Sequence, residues 1–404
     1  MDRQTGWRRT SVRVGGRIAL VVCFLTVLPD GVRGDAFTGY QLVGRFSLPP
    51  EAAVFDALAD GRIIALAGAN VYVESAPASR SFSFLGTLPG ADFPSFGAAF
   101  LAVSPDGTRF AAGNNGGSSF ANYRVGVFSV ALLSGEWFAA AHFDGAWIDD
   151  THLALTAGDF VNPSIVTVLD TTSIDPNQPT NPTIINGIGG ASAGVALDPA
   201  GNLYTGNGFV SGGPSGTGAV RAFRNADWTA ALSGGPVLNF ETDGIAVVDI
   251  LSASPLGFDN EGNLFIGGGD FSNANEFDFV ALVRASAIAD ALAGMGPANA
   301  GDAAEVRRLD PDPANDFNFF SVVFNPALGR LYAKDAGNTL VHFYQDTTGI
   351  PAVSTWGVIT LALLTTIAGT LLLRQRTAYV ASVSPRGALV DGNRLWSESA
   401  RARR

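Results

Sequence analysis

One unit recurs through the middle of the chain, and it constrains the fold more than any other feature. Each copy is an apolar strand, a tight turn, a second apolar strand, and then a glycine with an asparagine or aspartate. Four copies are clear: Phe100–Asn114, Gly194–Asn207, Pro255–Asp270 and Val322–Asp335. Two weaker ones, Val54–Asn70 and Ala146–Asp159, make six. Apolar residues alternate within the strands, the period of a sheet surface. Asp106-Gly107, Ala200-Gly201 and Glu261-Gly262 supply the positive backbone angle that a hairpin turn needs.

A third strand is predicted after each pair, over Val71–Glu74, Arg124–Val130, Ile165–Leu169, Ala219–Phe223, Phe279–Val283 and Thr339–Tyr344. A fourth follows in places, such as Val237–Phe240. Turns recur every 43 to 67 residues or so, and four strands in about 45 residues is the period of a β-propeller blade. Ala-rich insertions at Asn225–Leu232 and Ala285–Met295 read as short helices that lengthen two repeats. The sixth copy lacks a fourth strand, while an orphan strand, Tyr40–Leu48, precedes the first copy. Pairing the orphan into the last blade closes a ring and removes both open edges. The expected fold is therefore all-β, a six-bladed propeller over residues 37–349, with seven blades as the alternative.

The ends read differently. Arg3, Arg8, Arg9, Arg13 and Arg17 precede the apolar run Ile18–Leu28, and small residues follow at Gly34 and Ala36. This is the layout of a secretory signal peptide, assigned to residues 1–36. Near the other end, Val358–Leu373 carries no charge, begins after Trp356 and is followed by Arg374 and Arg376. It reads as a membrane-embedded segment with an interfacial aromatic and a basic stop. Residues 377–404 form a C-terminal extension, expected to be disordered.

Between residues 35 and 373 the chain holds 12 basic and 32 acidic residues, a charge of about −20. That argues against nucleic acid, whose phosphates need basic patches. Lys334 is the sole lysine, which excludes a phosphate loop of the Walker kind. The sole cysteine, Cys23, lies in the signal peptide, so the mature chain has no disulfide, thiolate metal site or cysteine nucleophile.

At Ile350 the chain reads IPAVSTWG before the apolar run and the arginines. Ile350, Pro351, Val353, Ser354, Trp356 and Gly357 resemble the IPTL-CTERM sorting signal of bacterial surface proteins, a relative of PEP-CTERM signals. Ala352 and Thr355 depart from that pattern, as do the 28 residues beyond Arg376. The resemblance covers residues 350–376. It implies export by the secretion machinery, recognition by an exosortase-like transpeptidase, and residence at the cell surface or outer envelope, or release outside the cell. The repeats resemble NHL, WD40-like and lactonase-type propellers in blade pattern only, which does not give function.

Candidate site residues follow from topology. The connections after each second strand emerge on one face and begin at Asn70, Asn114, Asp159, Asn207, Asp270 and Asp335. This ring suits a cation or sugar, and equally suits turn chemistry, in which Asn and Asp bond their own backbone. Asp270, Asn273, Asn275, Glu276 and Asp278 form the most oxygen-rich loop, a calcium candidate without EF-hand spacing. Asp310, Asp312, Asn315 and Asp316 form a second acidic loop. Gly190–Gly194 spells GxSxG, but a strand follows where a nucleophile elbow needs a helix. His142, His152 and His342 share no metal-ligand spacing. No catalytic residue is assigned. The expected role is a non-enzymatic binding or structural surface protein with a glycan or protein ligand. The alternative is a metal-dependent lactonase-like hydrolase, with Glu51 as a ligand.

Overall fold

The computed structural model describes residues 39–346, except 92, 94–97, 115–121, 158–163, 190–191, 208–218, 251–254, 269–278, 310–319 and 336–337. The signal-peptide region, the sorting motif and the C-terminal extension lie outside the described residues. Six mainly antiparallel sheets form in succession, one for each repeat. Blade 1 is β2 (Ala52–Ala57), β3 (Ile63–Ala67), β4 (Asn70–Glu74) and β5 (Phe82–Thr87). Blade 2 is β6 (Ala98–Val103), β7 (Arg109–Asn114), β8 (Val125–Ser129) and β9 (Gly135–Phe138). Blade 3 holds β10 (Asp144–Trp147), β11 (His152–Ala157), β12 (Ser164–Asp170) and β13 (Thr183–Ile188). Blade 4 holds β14 (Ser192–Leu197), β15 (Leu203–Asn207), β16 (Val220–Phe223) and β18 (Ile245–Val248). Blade 5 is β19 (Leu256–Phe258), β20 (Leu264–Gly268), β21 (Phe279–Val283) and β22 (Val306–Leu309). Blade 6 takes β23 (Phe320–Asn325), β24 (Arg330–Asp335) and β25 (Leu340–Asp346) from the end of the ring.

Its fourth strand comes from the beginning. The orphan strand β1 (Tyr40–Ser47) pairs antiparallel with β25, from Tyr40 opposite Asp346 to Ser47 opposite Leu340. This is the closure expected from the repeat count. It is fastened further in: the Tyr40 hydroxyl donates to Asp259 of blade 5 at 2.9 Å, and its ring meets Phe265 edge-on.

The first hairpin turns carry glycine where sequence placed it. Gly107 has φ 69°, and a Cβ there would come within 2.9 Å of the Ala59 methyl carbon of blade 1. Only glycine meets both demands without strain.

Apolar alternation now has its meaning. The buried side chains form six clusters, one between each neighbouring pair of blades. Odd and even positions of an innermost strand point to opposite neighbours. Leu101 of β6 packs into the cluster shared with blade 1, whereas Phe100 and Ala102 pack into the cluster shared with blade 3.

One expected strand belongs elsewhere. Val237–Phe240 was read as a fourth strand of its own repeat. Instead β17 (Leu238–Asn239) adds in parallel to β13, as a fifth strand of blade 3. The reason is local: the Asn239 side chain accepts from the backbone N–H of Glu241 and Thr242, capping a short helix at Phe240–Asp243. That helix turns the chain back, and the fourth strand of blade 4 forms only afterwards. The two Ala-rich insertions are helices at Asn225–Leu232 and Ala285–Leu292, between third and fourth strands as expected. No helix among the described residues is long and apolar enough to cross a membrane.

Candidate functional site: the channel and its carboxylates

The innermost strands of all six blades surround a cavity of about 310 Å³. Most of its lining is Ala, Val, Leu, Gly and Phe. Asp56 of β2 and Asp144 of β10 are the only charged residues among the described lining residues. Each sits in an otherwise apolar strand, and each is tied to the next blade. Asp56 Oδ2 accepts from the Val103 N–H of blade 2 at 2.7 Å, while Oδ1 accepts from Ala57 N–H. Asp144 Oδ2 accepts from the Val195 N–H of blade 4 at 2.9 Å. The innermost strand of a blade has an open edge toward the channel, and these carboxylates satisfy donors there.

Burial dominates their ionisation. It pushes Asp56 up to about 6 against the lowering effect of its backbone donors. Asp144 is 3% exposed and is pushed up to about 7, with the Asp56 charge adding to the rise. The seam between blades 2 and 3 is closed without a carboxylate, by Trp147 Nε1 donating to the Ala102 carbonyl at 2.9 Å.

His142 lies in the connection between those blades and is 1% exposed. Its Nδ1 is 2.9 Å from the Ala140 carbonyl and its Nε2 is 2.6 Å from the Asn114 carbonyl. Burial pulls it down to about 4, and the two carbonyls oppose this. His152 is at the start of β11 against Asp149, and His342 is buried in β25, so the three histidines do not converge.

The described members of the Asn/Asp ring each spend a side-chain oxygen on the blade that carries it. Asn70 Oδ1 accepts from the Thr87 hydroxyl, Asn114 Oδ1 from Arg124 N–H, and Asn207 Oδ1 from Ala219 N–H. Asp335 Oδ2 accepts from the Asn338 amide. Asp159 and the loop with Asp270, Asn273, Asn275, Glu276 and Asp278 lie outside the described residues, as does the loop from Asp310 to Asp316. In the GxSxG stretch, β14 begins at Ser192, so a strand runs where an elbow would need a helix.

Glu51 is exposed at φ 65°, in the connection ahead of β2, and does not line the cavity. Among the described residues no three His, Cys, Asp or Glu side chains are grouped to hold a metal.

Sequence reasoning missed Asp56 and Asp144. The signal was present: a single carboxylate inside an apolar inner-strand run, in Val54-Phe55-Asp56-Ala57 and again in Phe143-Asp144-Gly145-Ala146.

The ring of six four- to five-stranded blades closed by its first strand defines a β-propeller. The chain is similar at low identity to several solved structures. One is the hydrazine synthase of Kuenenia stuttgartiensis, 15% identical over 75% of this chain and 78% of that one, with TM-score 0.47. Another is the PQQ domain of pyranose dehydrogenase from Coprinopsis cinerea, 11% identical over 76% and 97%, with TM-score 0.46. A third is the β-propeller domain of Cps50 (Swd1) from Myceliophteria thermophila, 9% identical over 76% and 99%, with TM-score 0.45. Likeness at this level does not bear on activity. Neither a protein-family model nor a curated protein matches the sequence.

Proposed function

We propose that this chain is an exported bacterial surface propeller that works by binding or by building structure rather than by catalysis. Its N-terminal 36 residues direct export. Ile350 to Arg376 act as an IPTL-CTERM-like sorting signal read by an exosortase-like transpeptidase. The observation that carries the non-enzymatic part is the state of the channel. Its two carboxylates are engaged by backbone N–H groups of the neighbouring blades, and the remaining lining is apolar. The lactonase-like alternative needs metal-binding oxygens converging there, and Glu51 does not join them. The acidic central part suits an exported domain and argues against nucleic acid as partner. The test is fractionation of cells expressing the full chain and a deletion of residues 350–376. The deletion is expected in the medium and the full chain in the envelope. Retention of the deletion in the envelope would contradict the sorting reading.

A further inference from the structure

We propose that the outer rim of blade 1, around Arg80 and β5, is a docking surface for an acidic, extended peptide segment of a partner. The first observation is backbone strain. In the connection from Ser75 to Ser81, Ala78 and Arg80 adopt φ 60° and 57°, the left-handed region that side chains avoid. The buried carboxylate of Glu74 holds Arg80 there, accepting from its N–H through Oε1 and from Ile63 N–H through Oε2. Such strain persists only where the surroundings over-determine it, and it gathers at ligand clamps.

The second observation is what the strain presents. The exposed Arg80 guanidinium lies 4.4 Å from the ring centre of Phe343 in blade 6. It takes part in none of the ion pairs among the described residues. Arg330 lies 5.4 Å from the same ring centre. Residues 75–91 contain no aspartate or glutamate, in a chain with 36. Among the described residues the Arg80 guanidinium has no carboxylate in ion-pair contact.

The third observation is the strand that follows. A bulge in β5, opposite Val71 and Tyr72, turns Leu85 outward. Leu85 is 42% exposed and its neighbour Phe84 is 58% exposed. Edge strands are normally blunted by charge or by cover. The β13 edge is covered by β17, the β18 edge meets Ala298, and β22 carries Arg307 and Arg308. The β5 strand, Phe82–Thr87, carries no charged residue, and among the described residues no further strand pairs with its outer edge.

A cation, two outward apolar side chains and an open edge together fit a segment that brings carboxylates and apolar side chains in extended form. A second copy of this chain fits less well, because a symmetric pairing of the two rims would bring arginine toward arginine.

The test uses the full chain in mild detergent and two fluorescent peptides of about twelve residues, alternating valine with glutamate or with lysine. Anisotropy is expected to show saturable binding of the glutamate peptide that weakens with salt. Arg80→Gln and Phe84→Ser are each expected to weaken it about tenfold or more, while Ile174→Ser, at a fully exposed site elsewhere, leaves it unchanged. Should Arg80→Gln fail to fold, the exposed Phe84→Ser carries the test. Equal binding of the lysine peptide, or wild-type affinity in the folded variants, would overturn the proposal. So would self-association that Phe84→Ser abolishes when no peptide binds.

Discussion

The seam between blades 4 and 5 and the seam between blades 3 and 4 do the same job by different chemistry. The first is a cluster of seventeen buried residues with no carboxylate among them, reinforced by the helix at Ala285–Leu292. The second has its own apolar cluster but also takes Asp144 out of water to reach the Val195 N–H. The seam between blades 1 and 2 repeats this device with Asp56 and Val103. A carboxylate removed from water costs stability unless its bonds compensate, and the raised affinity of Asp144 for its proton shows incomplete compensation. The seam between blades 4 and 5 closes by apolar packing and by the Ala298 N–H donating to the Val247 carbonyl, without a carboxylate. The two carboxylates therefore serve the strand edges facing the channel and give that channel its negative sign.

The largest expected effect sits on the apolar side. Leu264→Ala, at a fully buried position between blades 4 and 5, should cost about 2–5 kcal/mol in denaturant unfolding, with no dependence on pH. Equal slopes of its stability and that of the wild type against pH would sharpen the comparison.

Asp144→Asn should act in the opposite direction and depend on pH. The native carboxyl titrates near 7 instead of its ordinary 3.8, so its ionisation weakens the fold progressively as pH rises through that window. Asparagine keeps an acceptor for Val195 N–H without the charge. Thermal melting should show the variant more stable than wild type at pH 8 and little different at pH 4. A loss at pH 8 would mean that the charged bond stabilises the seam.

His142 contributes a smaller slope of opposite sign. Its native value near 4 lies below the ordinary 6.5, so its contribution is complete above pH 6.5 and is lost as pH falls toward 4. His142→Asn should lower stability at pH 7 and flatten that acid limb, both visible in melting curves. The smallest effect is expected at the loop face. Asn207→Ala removes the acceptor for Ala219 N–H and should cost about 1 kcal/mol by unfolding.

Much of the architecture was legible because it rests on local rules. Period-two apolar strands, hairpin glycines such as Gly107 and Gly201, and the unpaired strand at Tyr40 together implied six blades and their closure. The addition of Leu238–Asn239 to blade 3 was not legible. Its segment has ordinary strand composition, and the Asn239 cap that diverts the chain is a two-residue event. The site was less legible than the fold. Asn114 and Asn207 stood out by recurrence, yet their oxygens close their own connections. Asp56 and Asp144 occupy different register positions in their strands, so no repeat alignment would pair them. Only the blade packing brings both to one cavity.

The central claim is a six-bladed ring closed by its own first strand, and hydrogen exchange followed by mass spectrometry tests it most directly. Peptides covering Tyr40–Ser47 should exchange as slowly as those covering β25, because the two strands share one ladder. Exchange of Tyr40–Ser47 at the rate of free chain, with β25 still protected, would show that the first strand does not close the ring.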